Sequence, residues 1–210
     1  ASIPLPASNP REGVDCCTPP QPAPALRLRR WLSGFLRAAL AEADAGRRPA
    51  LEGLLHLLER RGVQGPLLLL ALLQALGRRV LLETAGAEAA RKAGQAEFHL
   101  PLELVAAHLE VHRATLWRWL ERLEAAGLVV RGLHYGDLRG HTAVTGTLWA
   151  VRLRPGVAHL PPEVFRHPWR DLTEDAENGR TAFNVAFPKG KKAPAYRPPF
   201  HLLVAWALGQ

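Results

Sequence analysis

The stretch that most constrains the fold is residues 102–130, LELVAAHLEVHRATLWRWLERLEAAGLVV. It predicts two short helices that cross closely at a tight turn. A small residue, Ala106, suits the crossing, and a compact apolar residue, Val111, fills the corner of the turn. The second helix buries one stripe of side chains at helical spacing: Leu116, Trp119, Leu120 and Leu123. The stretch therefore predicts a helix-turn-helix.

The residues around this motif predict a small sheet. Gly127 ends the second helix as a left-handed C-cap glycine does. Residues 128–131 and the alternating residues 148–153 predict two strands, joined over residues 132–147 by a polar loop rich in Gly, Thr, His and Arg. Residues 97–100 are expected to add a third strand. A strand, loop and strand after the second helix is the arrangement of a wing.

The motif also resembles the pattern LAxxLGVSRATLxRxLxxLExxGLV of bacterial winged-helix regulators. The matching positions are Val105, Ala106, Leu109, Val111, Arg113, Ala114, Thr115, Leu116, Arg118, Leu120, Leu123, Glu124, Gly127, Leu128 and Val129. Glu110 stands where the family has glycine, which tolerates a positive φ, and His112 stands where it has a capping serine. The resemblance implies a winged helix that binds double-stranded DNA. Residues 139–183 are similar in texture to helix-turn-helix proteins of bacterial plasmids, some of which act at replication origins.

The candidate DNA-binding side chains lie opposite the apolar stripe or in the wing. Arginine donates two hydrogen bonds to guanine, and Thr and the N–H groups at a helix start donate hydrogen bonds to phosphates. Trp117 has three open roles: a thymine methyl or sugar contact, the core, or a protein contact. The wing residues that flank Gly140 reach the minor groove or phosphate, unless the hairpin is merely solvated. The candidates are His112, Arg113, Thr115, Trp117, Arg118, Arg122, Arg139 and His141.

The charge of the chain favours a polyanionic partner, with nucleic acid ahead of an acidic membrane surface. The formal net charge is +8 and the isoelectric point about 10.5. The motif itself is not basic, because residues 97–131 hold four Arg and five Glu. The positive excess lies in residues 27–37, in the wing strands and in residues 180–197. Binding driven by counterion release needs those segments near the duplex.

Composition predicts a mainly α protein with a small β wing, in four segments. Residues 1–24 are a Pro-rich tail, expected to be disordered. Residues 25–95 form a helical support or dimerisation region, residues 96–155 the winged helix-turn-helix, and residues 156–210 a C-terminal extension with a basic arm and a terminal apolar segment.

Within the second segment, apolar spacing predicts helices over residues 25–45, 49–61 and 66–83, followed by a looser helical connector over 84–96. The third of these helices carries leucine on nearly every side. Such a helix is buried in a helical core or against a second subunit. In the C-terminal extension, residues 168–178 predict one short helix.

The sequence offers no pattern typical of an enzyme, a metal site or a cofactor site. No Walker loop or dinucleotide glycine pattern occurs. His108 and His112 are four residues apart, but the turn between them breaks metal geometry, and Tyr135 in the wing lacks the partners of a strand-transfer nucleophile. The expectation is a protein without enzymatic activity, metal or cofactor.

The cysteines and the apolar runs point to the cytoplasm. Cys16 and Cys17 are adjacent residues in the Pro-rich tail and do not make a disulfide scaffold. The most apolar run, residues 67–76, is too short to span a bilayer. We therefore expect a cytoplasmic protein associated with the nucleoid or a plasmid, and no membrane partner.

Together these features predict a homodimer that binds double-stranded DNA sequence-specifically, in transcriptional regulation or at a plasmid replication origin. Its two half-sites would lie one helical turn apart. Two alternatives stay open. One is a winged-helix protein-interaction scaffold, which the near-neutral motif favours, and the other is an architectural DNA-binding protein without sequence preference.

Overall fold

The structure, a computed structural model, describes residues 24–138, 141–155 and 170–172. These ranges form a mainly helical fold with a small antiparallel sheet, which confirms the class expected from composition. The elements in chain order are α1 (Pro24–Ala41), α2 (Arg48–Arg61), α3 (Pro66–Lys92), β1 (Gln95–His99), α4 (Leu102–His108), α5 (Arg113–Ala125), β2 (Val129–Leu138), β3 (His141–Arg152) and β4 (Arg170–Asp171).

The first three helices build one apolar core. The inner face of α1 packs on α2, and Pro66 begins α3, where its missing N–H needs no partner. The leucines that surround α3 are mostly buried within the same chain, so they belong to a core and not to a subunit interface. Its buried leucines are Leu67, Leu69, Leu70, Leu72, Leu73 and Leu76, while Leu68 and Leu82 stay exposed.

The end of α3 largely follows the prediction of a helix to about residue 83 and a looser helical connector over 84–96. α3 runs to Lys92 with a kink at Gly86, at φ 85°, and β1 begins at Gln95, inside the expected connector. Residues 82–89 are exposed, so this part of the helix carries no buried stripe. No single described helix is long and apolar enough to cross a membrane. The pair of α2 and α3 reaches the required length and apolar composition only when the two helices are counted together across the 103° bend between them.

The sheet has the strand order β2-β3-β1-β4. β3 pairs antiparallel with both β1 and β2, and β4 adds a two-residue parallel pairing to β1. The expected polar loop over residues 132–147 is wrong, because β2 and β3 stay paired from Val129↔Val151 to Leu138↔His141. The expected helix over residues 168–178 is wrong at Arg170–Asp171, which is β4, and most of its other residues lie outside the described ranges.

Two contacts fix the helices on the sheet. Gly77 of α3 lies so close to β1 that a side-chain carbon added there would stand 2.7 Å from the Cβ of Ala96. The buried indole of Trp149 in β3 donates its Nε1–H to the carbonyl of Leu100, at 2.7 Å, directly before α4. The first contact places α3 against β1, and the second ties the chain just before α4 to β3.

Candidate nucleic-acid interface

The turn between α4 and α5 is tight, and the backbone of one of its residues is in the left-handed region. Glu110 has φ 56°, the region that glycine tolerates best. The N–H of Val111 donates to the carbonyl of Ala106 at 3.1 Å, and Val111 is half-buried in the corner. His112 then caps α5, because its Nδ1 accepts the N–H of Ala114 at 3.2 Å. The tight turn and the helix cap are therefore both formed with Glu110 and His112 at these positions.

The inner face of α5 anchors the helix in the core. Leu116, Leu120 and Leu123 are fully buried, as the predicted stripe requires. Trp119 is half-buried, and its indole lies 3.6 Å from where a Cβ on Gly65 would stand, at the start of α3. With this face buried, the opposite face of α5 has to point away from the core.

The three arginines of α5 are exposed, but they differ in their partners. Arg113 forms an ion pair with Glu103 of α4 at 3.2 Å, and their side chains are 64 % and 49 % exposed to solvent. Arg118 donates its Nε–H to the carbonyl of Ala114 at 3.3 Å. The Nη2 of Arg122 lies 3.9 Å from where a Cβ on Gly53 of α2 would stand. An exposed ion pair of this kind contributes about 0–1 kcal/mol, so a phosphate can replace Glu103 at small cost.

Trp117 is held by two neighbours although 45 % of it is exposed. Its Nε1–H donates to Glu121 at 3.1 Å. The guanidinium of Arg131, on β2, lies 4.0 Å above its ring centre, within cation–π range. Arg131 is fixed in turn by a bidentate pair with Glu124, at 2.7 and 2.8 Å. The stack Trp117–Arg131–Glu124 therefore joins α5 to the first strand of the hairpin.

The remaining predicted residues fall in different places. His112 is exposed at the start of α5, and Thr115 is half-buried beside it. Arg139 and the side chain of His141 lie outside the described residues, although His141 begins β3. The α5 candidates thus share one helix, and the wing candidates stay predictions.

Sequence reasoning missed Leu133 and the structural role of Arg131. Leu133 is 58 % exposed and lies two residues after Arg131, on the same face of β2. Trp117 and Leu133 are therefore two exposed apolar side chains near Arg131, whose own side chain is only 14 % exposed and is paired with Glu124. The one signal in the sequence was a large apolar residue between Gly132 and His134. It was not interpreted because a polar loop was expected over this stretch.

In the part of the chain that the structure describes, no group of three or more His, Cys, Asp or Glu side chains is placed to hold a metal ion. Comparison with family models, with curated proteins and with solved structures gives no match.

Proposed function

We propose that α3, β1, α4, α5, β2 and β3 form a winged helix that binds double-stranded DNA. The element order and the position of β3 between β2 and β1 support this proposal. The observation that carries it is α5, the second helix of a helix-turn-helix, which turns three exposed arginines outward next to a long hairpin. A helix of this kind enters the major groove, about 12 Å wide, with its N-terminal residues toward the bases.

In this complex Arg118 is the first candidate for base reading. It lies one turn into α5, and one hydrogen bond to Ala114 leaves its terminal nitrogens able to donate to guanine O6 and N7. Arg113, nearer the helix start, exchanges Glu103 for a phosphate. The hairpin extends beside α5 as the wing, where Arg139 and His141 would meet the backbone or the minor groove.

The protein would act as a homodimer on two half-sites about 34 Å apart, in transcriptional regulation or at a plasmid replication origin. Two-fold related half-sites in selected duplexes would support the dimer. A specificity ratio near one, measured between selected and random duplexes, would instead favour an architectural DNA-binding protein.

The experiment begins with a selection of bound duplexes from a random pool, followed by fluorescence anisotropy. Arg118→Ala is expected to weaken binding to the selected duplex by about 1–3 kcal/mol and to relax preference at one base position. Arg113→Ala is expected to weaken selected and random duplexes alike and to flatten the salt dependence. Arg60→Ala, an exposed arginine at the end of α2, is the matched control for lost charge.

The assignment of α5 fails if the double variant of Arg113 and Arg118 keeps both its affinity and its salt slope. Far-ultraviolet circular dichroism establishes that the double variant is folded. Binding by the folded double variant would place the DNA surface on another part of the chain.

A protein-interaction scaffold is the second candidate, and a specific observation favours it. Trp117 and Leu133 expose apolar area near Arg131, a mostly buried cation that already has a carboxylate partner. Aromatic and arginine side chains of this kind are enriched at protein interfaces. If the folded protein retards no duplex even at low salt, this candidate replaces the first.

A further inference from the structure

A groove separate from the helix-turn-helix lies between α1, the end of α3 and the chain just after β3. Its volume is about 760 Å³, within the range of about 300–1,000 Å³ typical of small-molecule sites. The residues that line it combine aromatic, aliphatic and cationic side chains and include no carboxylate. Its lining includes Trp31, Phe35, Arg78, Leu82, Leu153 and Arg154.

The floor of the groove is apolar and aromatic. Trp31 and Phe35 stack with their ring centres 5.3 Å apart, on the face of α1 that turns toward α3. Arg78 lies 4.4 Å above the ring of Trp31 and donates to the carbonyl of Leu153 at 3.3 Å. Burial lowers the pKa of the Arg78 guanidinium from its ordinary value. A charge held in such partly dry surroundings attracts an anion more strongly than one in bulk water.

The rim of the groove carries cations with open bonding capacity. Arg30 and Arg91 also line it, both are exposed, and within the described residues neither forms an ion pair or a side-chain hydrogen bond. Arg154 donates one hydrogen bond to the carbonyl of Lys92 at 3.1 Å and keeps further donors. A carboxylate is the natural partner, because each guanidinium presents a planar fork of donors to its two oxygens.

We propose that this groove binds a free medium-chain carboxylate, with its head at the arginine rim and its hydrocarbon body on Trp31 and Phe35. The charge on the rim selects an anion, and the aromatic floor selects an apolar body over a small inorganic ion. The groove lies at the end of β3, whereas the hairpin tip lies at its start, and this strand spans about 35 Å. The proposal therefore does not depend on the proposed function.

Gly34 allows a test that leaves every arginine in place. It lines the groove from α1, and a Cβ added there meets nothing within 4 Å. Gly34→Leu therefore projects a branched four-carbon side chain into the groove, where it obstructs a ligand, while improving helix propensity, so the variant is expected to fold. Gly34→Ala is the matched control, because it makes the same backbone change and leaves most of the volume open.

The measurement is isothermal titration calorimetry of the full chain with decanoate, below its micelle concentration. We expect one saturable site in the parent and in Gly34→Ala, and loss of binding in Gly34→Leu. The double variant Arg30→Ala, Arg91→Ala is expected to bind about tenfold more weakly, while Arg60→Ala binds as the parent does. Decan-1-ol and decyltrimethylammonium test the head group and are expected to bind at least about tenfold more weakly than decanoate.

Three results would overturn the proposal. The first is no saturable binding of decanoate to the parent chain. The second is equal binding by Gly34→Leu, which would place the ligand elsewhere. The third is equal affinity for decanoate and decyltrimethylammonium, which would reduce the groove to a non-selective apolar surface. None of these results bears on duplex binding by Arg118, so the two proposals fail separately.

Discussion

Replacing Glu110 by glycine tests whether the tight turn between α4 and α5 holds this residue in a left-handed conformation that a side chain with a Cβ disfavours. Within the described residues, Glu110 is the one non-glycine residue with a positive φ, at 56°. Side chains with a Cβ disfavour this region because the Cβ approaches the following carbonyl oxygen. The tight turn imposes it nevertheless, since Val111 must fill the corner between α4 and α5.

The expected effect of Glu110→Gly is a gain of about 1 kcal/mol in the free energy of unfolding. Relief of the left-handed conformation contributes about 1–2 kcal/mol. The greater conformational freedom of glycine in the unfolded chain lowers this gain by about 0.4–1 kcal/mol. For a chain of this length, the net gain corresponds to a rise in Tm of about 2–4 °C.

Chemical and thermal unfolding, followed by circular dichroism, measure this change. Glu110→Ala removes the same carboxylate and keeps the Cβ, so the difference between the Gly and Ala variants isolates the backbone effect. Ala107→Gly, within α4, is the opposite control and should lose about 1 kcal/mol. The reasoning is refuted if Gly at position 110 is no more stable than Ala.

Three further substitutions test the contact of α3 with β1, the hydrogen bond from β3 to the chain before α4, and the cap of α5. Gly77→Ala should destabilise the fold by about 2 kcal/mol in urea unfolding, because its new Cβ meets the Cβ of Ala96 at 2.7 Å and neither atom can rotate away. Trp149→Phe should cost about 2 kcal/mol in the same assay, since it leaves the buried carbonyl of Leu100 without the indole N–H. His112→Ala should lower the unfolding free energy by about 0.5–1 kcal/mol through loss of the cap, and His112→Ser should restore it.

For each of these substitutions, one result would contradict the physical reason given for the expected change in stability. A stabilising Gly77→Ala would mean that helix propensity outweighs the close contact, as it should at the open position Gly34. An unchanged Trp149→Phe would mean that water reaches the carbonyl. Equal stability of the Ala and Ser variants at position 112 would mean that the imidazole contributes nothing as a cap.

The helices α4 and α5 and the tight turn between them could be predicted because their determinants are local. The small Ala106, the corner residue Val111 and the stripe of Leu116 and Leu120 lie within a few turns of one another and pack as their spacing predicts. The length of the hairpin could not be predicted. Its strands pair through the backbone along the whole of β2, and pairing of this kind does not require alternation between apolar and polar residues.

The partners of the candidate residues were also beyond sequence reasoning, because they come from other elements. Glu103 meets Arg113 across the turn, and Arg131 reaches Trp117 from a strand. Helical spacing shows which residues leave the core, but it does not show which of them meet each other. The arginine-lined groove could not be predicted from the sequence either, because its residues come from α1, the end of α3 and the chain just after β3, which are distant along the chain.

These pairings divide the arginines of residues 97–131 into two kinds, with a measurable consequence. Arg131 is tied to Glu124 and Trp117, so only Arg113, Arg118 and Arg122 remain available for a duplex. Each phosphate contact contributes about −0.9 to the slope of log affinity against log salt. If α5 alone met the backbone, the slope would therefore be no steeper than about −3 for each protomer. A steeper slope that survives alanine at all three positions would assign the excess to basic segments outside residues 97–131. A slope within this limit that disappears in the triple variant would place the electrostatic contact on α5 itself.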